Sequence, residues 1–432
     1  MIDALFDKIN EFLPERWRWV LSHEGFRKYS KNTGWLFFGQ MFSLLVAFVA
    51  GIIVARYLGP KNYGLLNYSI GFASLFSFIT AIGSDIVISR EIIKGGEDAD
   101  KIMGSGFVLK LIGGSVAFLA ALSFSFIFND SGLIHLMIAI YSLTFIAASF
   151  QVTGSFFQSK VMAKKNVVAQ IVVSAVSLLV KLVIIKLGLG IIYLVASYVL
   201  DAALLALLLL LAYLASEKKV FRFDFDRALF YKILKYSWPL MLSAAASFLL
   251  LRIDQVIIGK ALGDVAVGIY SAAVKLVEIF YFIPTLVCYS LFPAIVNAKQ
   301  GSDASFAKRL KSLYLFMFFA ALFLAVFLSL FSKPIISLIF GPEYSAAAGI
   351  LKIYAWSNIG MFLGATINYR LVVENKEKFI FLVQIVLVII NVALNLILLP
   401  LFGMAGSAVA TLISYSLWPL LMSLNKKDKN NN

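Results

Sequence analysis

The sequence predicts an all-α integral membrane protein of twelve transmembrane helices, arranged as two six-helix lobes related by a pseudo-two-fold axis along the membrane normal. Three observations carry that prediction: twelve apolar stretches follow one another from Thr33 to Ser423, Lys and Arg crowd the loops on one side, and turn residues repeat about half a chain apart. Hydrophobic residues fill 61% of the 432 positions and charged residues 14%. A water-soluble fold cannot hide that much apolar surface, so lipid must cover the remainder.

The expected crossings are residues 33–56, 63–90, 102–128, 133–157, 166–187, 191–214, 233–260, 267–297, 311–331, 345–371, 378–400 and 403–423. Each is long enough for the roughly 20 residues that traverse hydrocarbon as a helix, and Gly and Pro fall at ends or interrupt middles, as lipid-embedded helices tolerate. With the N-terminus placed inside, the cytoplasmic segments hold 28 Lys and Arg and the outer connections hold 5. This positive-inside bias puts both termini in the cytoplasm of a multi-pass protein of the cytoplasmic membrane. The N-terminal region lacks the short apolar run and cleavage site of a signal peptide, so the first span serves as its own insertion signal. Residues 1–32 mix charges with aromatics, Trp17 and Trp19 beside Arg16 and Arg18, and suit a helix lying at the headgroups. Residues 33–215 form the N-lobe, 216–232 a cytoplasmic linker, 233–424 the C-lobe and 425–432 a polar tail.

The repeat fixes the relation between the lobes. Arg56-Tyr57-Leu58-Gly59-Pro60 with Tyr63-Gly64 is echoed, at a shift of 204, by Lys260-Ala261-Leu262-Gly263-Asp264 with Val267-Gly268. Leu187-Gly188-Leu189-Gly190 is echoed more faintly by Phe402-Gly403-Met404-Ala405, at a shift of 215. The extra residues belong to the outer loop from Phe331 to Ser345. An even number of spans per half makes the repeat parallel, as in transporters whose lobes rock about a central site.

Composition also excludes several chemistries. One cysteine, Cys288, and two histidines, His23 and His135, rule out a disulfide framework and leave no metal site, so no cofactor is expected. The net charge of +15 is spread through short loops instead of one face, which argues against nucleic acid.

Nine ionisable residues fall inside spans: Asp85, Lys110, Lys181, Asp201, Arg252, Asp254, Lys275, Glu278 and Lys352. Each would cost roughly 2.5–3.5 kcal/mol at a lipid-facing centre, so they are expected to face one another or a wet interior cavity. Asp254 lies two residues from Arg252, and Glu278 one helical turn after Lys275, a spacing that pairs charges locally. Lys110, Lys181 and Lys352 lack such a neighbour and are the candidates to meet an anionic ligand. The plainer reading is that Lys110, Lys181 and Lys275 snorkel to an interface one turn away. Two residues apart, Arg252 and Asp254 cannot be presented equally by one helix face, so the plainer role for one of them is to fix helix packing.

The stretch Arg252-Ile253-Asp254-Gln255-Val256-Ile257-Ile258-Gly259, running on through Tyr270-Ser271-Ala272-Ala273-Val274-Lys275 to Glu278, resembles the central signature of polysaccharide (O-antigen type, Wzx-like) flippases. These belong to the multidrug/oligosaccharidyl-lipid/polysaccharide exporter superfamily. Tyr57-Leu58-Gly59-Pro60, Ser89-Arg90-Glu91-Ile92, Leu291-Phe292-Pro293, Gly341-Pro342-Glu343-Tyr344 and Gly403-Met404-Ala405-Gly406 add weaker matches in the same order. The resemblance implies alternating access through a central cationic cavity that moves a polyprenyl-diphosphate-linked oligosaccharide from the inner to the outer leaflet. Arg252, Lys275, Lys110, Lys181 and Lys352 are then the substrate-binding candidates, and Asp254, Glu278, Asp85 and Asp201 the ion-coupling or charge-pair candidates. The implied partners are the polyprenyl-linked glycan, membrane lipids, and a glycan polymerase or other polysaccharide-assembly proteins.

Two rivals stay open at this point. A multidrug or cation antiporter of the same superfamily would share the architecture but favour an acidic, aromatic cavity; five embedded bases against four acids point the other way. An integral membrane glycosyltransferase is suggested only by Asp224-Phe225-Asp226, whose spacing can hold a metal and a nucleotide sugar. No phosphate-binding loop or nucleophile elbow is present, so the chain is expected not to be an enzyme.

Overall fold

The structure, a computed structural model, describes residues 24–81, 84–96, 98–217, 224–288, 291, 303–374 and 376–424. Of the expected headgroup helix over residues 1–32, residues 24–32 are continuous with the first long helix, Glu24–Ser74, whereas residues 1–23 lie outside the described residues, as does the tail after 424. So does most of the Leu291-Phe292-Pro293 motif.

The described residues are almost all helical, joined by short turns. In order come α1 Glu24–Ser74, α2 Phe78–Ala81, α3 Ser84–Lys94, α4 Ala99–Phe128, α5 Gly132–Ala147, α6 Val152–Ser159, α7 Ala163–Lys186 and α8 Ile191–Glu217. The second half holds α9 Arg227–Leu262, α10 Asp264–Glu278, α11 Asp303–Leu330, α12 Ser332–Ile339, α13 Ala347–Tyr354, α14 Ser357–Val373, α15 Glu377–Phe402 and α16 Met404–Ser423. An α-helix satisfies its own backbone groups, so it suits segments whose surroundings offer no hydrogen-bond partner.

Among the described residues ten helices are long and apolar enough to cross a membrane, and eleven when Arg227–Pro239 and Ala244–Leu262, bent by 52°, count as one span. One of them, Asn32–Lys94, runs for 63 residues, about three times what a crossing needs. Gly59 breaks it, with φ 66° and ψ 173°. Pro60 then opens the second arm, where its missing N–H is no loss. A division of the stretch there is consistent with the twelve crossings expected.

The repeat is visible in the backbone. Gly59 and Gly263, paired at the shift of 204, have φ 66° and 79°; Gly188 and Gly403, paired at 215, have 64° and 57°. Only glycine enters that region without strain, so the turns occupy equivalent places in both halves. The insertion also falls where expected, although Phe331 to Ser345 is mostly the helix α12 instead of an open loop.

Buried apolar residues show how the halves meet. If the end bearing the basic loops is called inner, one large cluster at the outer end joins them, placing Val54, Ala55, Tyr63 and Ala73 with Ile258, Val267, Tyr270 and Tyr344. At the inner end the core divides. Val87, Ile102, Phe156 and Tyr213 pack in the first half, while Cys288, Phe306 and Leu310, and separately Ile367, Leu387 and Met422, pack in the second. Leu229 and Ile233 sit in the first-half cluster, although the sequence assigns residue 233 onward to the C-lobe. The 52° bend after Pro239 then carries α9 across to α15. Halves fused at one end and separate at the other leave a chamber between them.

Candidate functional site

Among the described residues four adjoining cavities occupy that chamber, and three of them share Lys275. The deepest, about 370 Å³, is polar, with Ser43, Asn67, Ser177, Lys181 and Asp201 around Lys275. A wider vestibule of about 590 Å³ lies toward Thr33 and Gln158, lined by Gln40, Gln170 and Tyr281 on one hand and Leu36, Phe37 and Phe282 on the other. Between them Arg252 and Glu278 line the walls with Lys275.

The structure brings Arg252, Lys275, Lys181, Asp201 and Glu278 together and pairs them across helices. Arg252 on α9 donates from Nη1 to both carboxylate oxygens of Glu278 on α10, at 3.0 and 3.2 Å. The local pairs expected from sequence, Arg252 with Asp254 and Lys275 with Glu278, are therefore replaced by one pair between two helices. Lys181 on α7 reaches Asp201 on α8 at 3.1 Å, and Ser177 Oγ donates to the same oxygen at 2.7 Å. The ammonium also stands 4.8 Å above the Tyr198 ring. Lys181 is thus not an isolated base.

Lys275 differs from both. It lines the chamber without an ion pair among the described residues. Its Nζ packs where a Cβ on Gly51 would stand, so the absence of a side chain on α1 is what makes room for it.

The other candidates lie elsewhere. Asp254 points away from Arg252 into the protein, where it is 2% exposed and accepts from Tyr270 OH at 2.5 Å and Gln255 N at 2.8 Å. Arg252 and Asp254 thus lie in different surroundings, as their two-residue spacing on one helix implies. Lys110 donates to Asp85 at 2.6 Å, and Ser155 donates to the same carboxylate at 2.5 Å. That trio ties α3, α4 and α6 together and lines none of the four chamber cavities, which corrects the picture of Lys110 as unpartnered. Lys352 is exposed on α13 and likewise lines none of them. The Asp-x-Asp spacing proves to be a helix cap: Asp226 accepts from the backbone N–H of Ala228 and Leu229 at 2.8 and 3.0 Å. Among the described residues no group of His, Cys, Asp and Glu could hold a metal.

Sequence reasoning missed Gly51, Ser177 and Tyr198. Gly51 carries no polar atom, so no motif search would raise it. The polar run Ser43, Ser174, Ser177 in otherwise apolar spans is the signal that could have located the pocket.

An all-helical multi-pass bundle with a charged chamber between two repeated halves is a membrane transporter. Residues 29–299 match the polysaccharide biosynthesis protein family, and the chain belongs to it. Residues 239–397 also match the MatE family. A probable low-salt glycan biosynthesis flippase, Agl15 of Haloferax volcanii, is 26% identical over 188 residues, which is 43% of this chain and 39% of that relative. The capsular polysaccharide biosynthesis protein CapF of Staphylococcus aureus is 21% identical over 398 residues, 89% of this chain and 96% of its own length. Among solved structures, an inward-facing multidrug resistance MATE family transporter of the MOP superfamily aligns with TM-score 0.71 at 16% identity, over 88% of this chain and 92% of its own. The lipid II flippase MurJ, in an inward closed conformation, aligns with TM-score 0.70 at 17% identity, over 89% and 86%. These similarities establish a shared fold.

Proposed function

We propose that this transporter is a flippase for polyprenyl-diphosphate-linked oligosaccharide, moving the headgroup from the inner to the outer leaflet by alternating access, with both termini cytoplasmic. The observation that carries this reading is Lys275, an ammonium without a carboxylate partner among the described residues, in a chamber where Arg252 and Lys181 are paired. A diphosphate crossing the membrane needs such a cation, because a charge-assisted contact replaces the water it leaves behind. Sugar hydroxyls need polar walls, and Gln40, Gln158 and Gln170 provide them in the vestibule. The apolar side of the same vestibule, Leu36, Phe37 and Phe282, suits the first part of the lipid tail while the rest stays in the bilayer.

An antiporter for organic cations would instead leave a carboxylate free in the chamber. Here Glu278 and Asp201 are both engaged. The names of the flippase and capsule relatives support the glycan reading. In a deletion strain, lipid-linked oligosaccharide should accumulate on the inner leaflet and disperse when the wild-type gene returns. A strain that exports glycan normally but loses drug resistance would overturn the assignment.

A further inference from the structure

Among the described residues, all that line the polar pocket around Lys181 and Asp201 lie between Ser43 and Asp201 except Lys275. The pocket is a first-half structure completed by one second-half side chain. Lys275 enters it against Gly51, and the opposite contact exists: Gln255 Oε1 stands 3.3 Å from where a Cβ on Gly71 would be. Adding 204 to 51 gives 255, and adding it to 71 gives 275, so the two contacts are images of each other across the pseudo-dyad.

The same register governs the outer end. A Cβ on Gly64 would overlap the backbone of Asp264 and Gly268, and one on Gly268 would overlap the backbone of Pro60 and Gly64. Arg56 donates to the carbonyls of Leu338 and Ile339, the latter at 2.7 Å, at the C-terminus of α12. Its counterpart Lys260 donates to the carbonyl of Phe128 at 2.8 Å, at the C-terminus of α4. Each half thus caps a helix of the other, although α12 belongs to the insertion and is not the counterpart of α4.

We propose that closure of the outer end assembles the anion pocket: Gly51 of the first half seats Lys275 of the second in it, and parting of the halves at Gly64 and Gly268 withdraws that ammonium as the outer mouth opens. The proposal rests on the alternating-access reading and gives it a release step. A ligand biases a two-state protein only through a difference in affinity between the states, and withdrawal of the Lys275 ammonium supplies that difference for a diphosphate. Gly51 is a positioning residue. It acts on the ligand through Lys275, and because its nearest neighbours are the end atoms of a flexible side chain, a methyl group there displaces the ammonium without forcing the helices apart.

The test is titration of the purified full chain with geranylgeranyl diphosphate. Gly51→Ala should weaken binding about tenfold, the scale of one charge-assisted contact. Lys275→Gln should weaken it at least as much, and the double variant no further than Lys275→Gln alone, since one substitution removes what the other displaces. Gly268→Val should wedge the outer end open and bind as weakly as Lys275→Gln. In cells, with Cys288→Ser and Asn67→Cys added, it should react with an impermeant thiol reagent from outside, while the parent stays protected. Parent-like binding by Gly51→Ala, additivity with Lys275→Gln, or protection of Asn67→Cys in the wedge variant overturns the proposal alone. A parent that does not bind the probe overturns the functional reading and the proposal with it.

Discussion

The two arms of α1 and the α9–α10 pair are one scaffold used twice, yet their chamber-facing positions carry different chemistry. Gly59 and Gly263 turn the chain alike, and Gly64 and Gly268 meet on the axis. Two positions further in, one half has Gly51 and Gly71 where the other has Gln255 and Lys275. Backbone symmetry makes the two halves meet alike at Gly64 and Gly268, whereas Lys275, whose counterpart is Gly71, places its ammonium off-centre, against Gly51 of the first half. On the proposed function, the repeat would set how the halves move and the departures from it what the chamber binds.

The largest effect should come from the departure. Lys275→Gln is expected to cut transport about 10- to 100-fold, as loss of a buried ionic contact does, with membrane abundance unchanged. Quantitative export assays beside immunoblots check both parts. Next comes the pair that belongs to the first half alone. Lys181→Gln leaves Asp201 uncompensated and should destabilise the protein by about 3–5 kcal/mol, whereas Lys181→Gln with Asp201→Asn recovers much of that loss. Thermal denaturation in detergent, with the double variant as control, reads the difference.

Symmetric positions should give symmetric results. Gly64→Ala and Gly268→Ala are each expected to cost about 1–3 kcal/mol by overpacking, and to nearly equal extent. A large inequality between the two melting shifts would mean that the halves do not meet as equivalents. The smallest effects belong to the caps: Arg56→Ala and Lys260→Ala should each lose about 0.3–1 kcal/mol, because exposed charges at helix ends are weak and screened.

Much of the fold was legible in the sequence, since apolar length, loop charge and turn glycines act locally along the chain. Gly59, Gly188, Gly263 and Gly403 were readable as turns and have the conformation that only glycine readily takes. The helix in the outer loop, α12, was not, because eight residues carry too short a periodic pattern. Within the site, the embedded charges could be named but not paired. Lys181 and Asp201 are 20 residues apart, Lys110 and Asp85 are 25, and Arg252 and Glu278 are 26. Each pair joins neighbouring helices, and local spacing says nothing about which faces meet. Lys275 stood out only once its neighbours were seen to have partners elsewhere.

Transfer of a polyprenyl-diphosphate-linked sugar across proteoliposome membranes, measured for the wild-type protein, Lys275→Gln and Lys352→Gln, tests the role of the unpaired ammonium most directly. The wild-type and Lys352→Gln proteins should move the lipid at similar rates while Lys275→Gln loses most of its activity. Equal transfer by Lys275→Gln, or loss of transfer on neutralising exposed Lys352, would contradict the account.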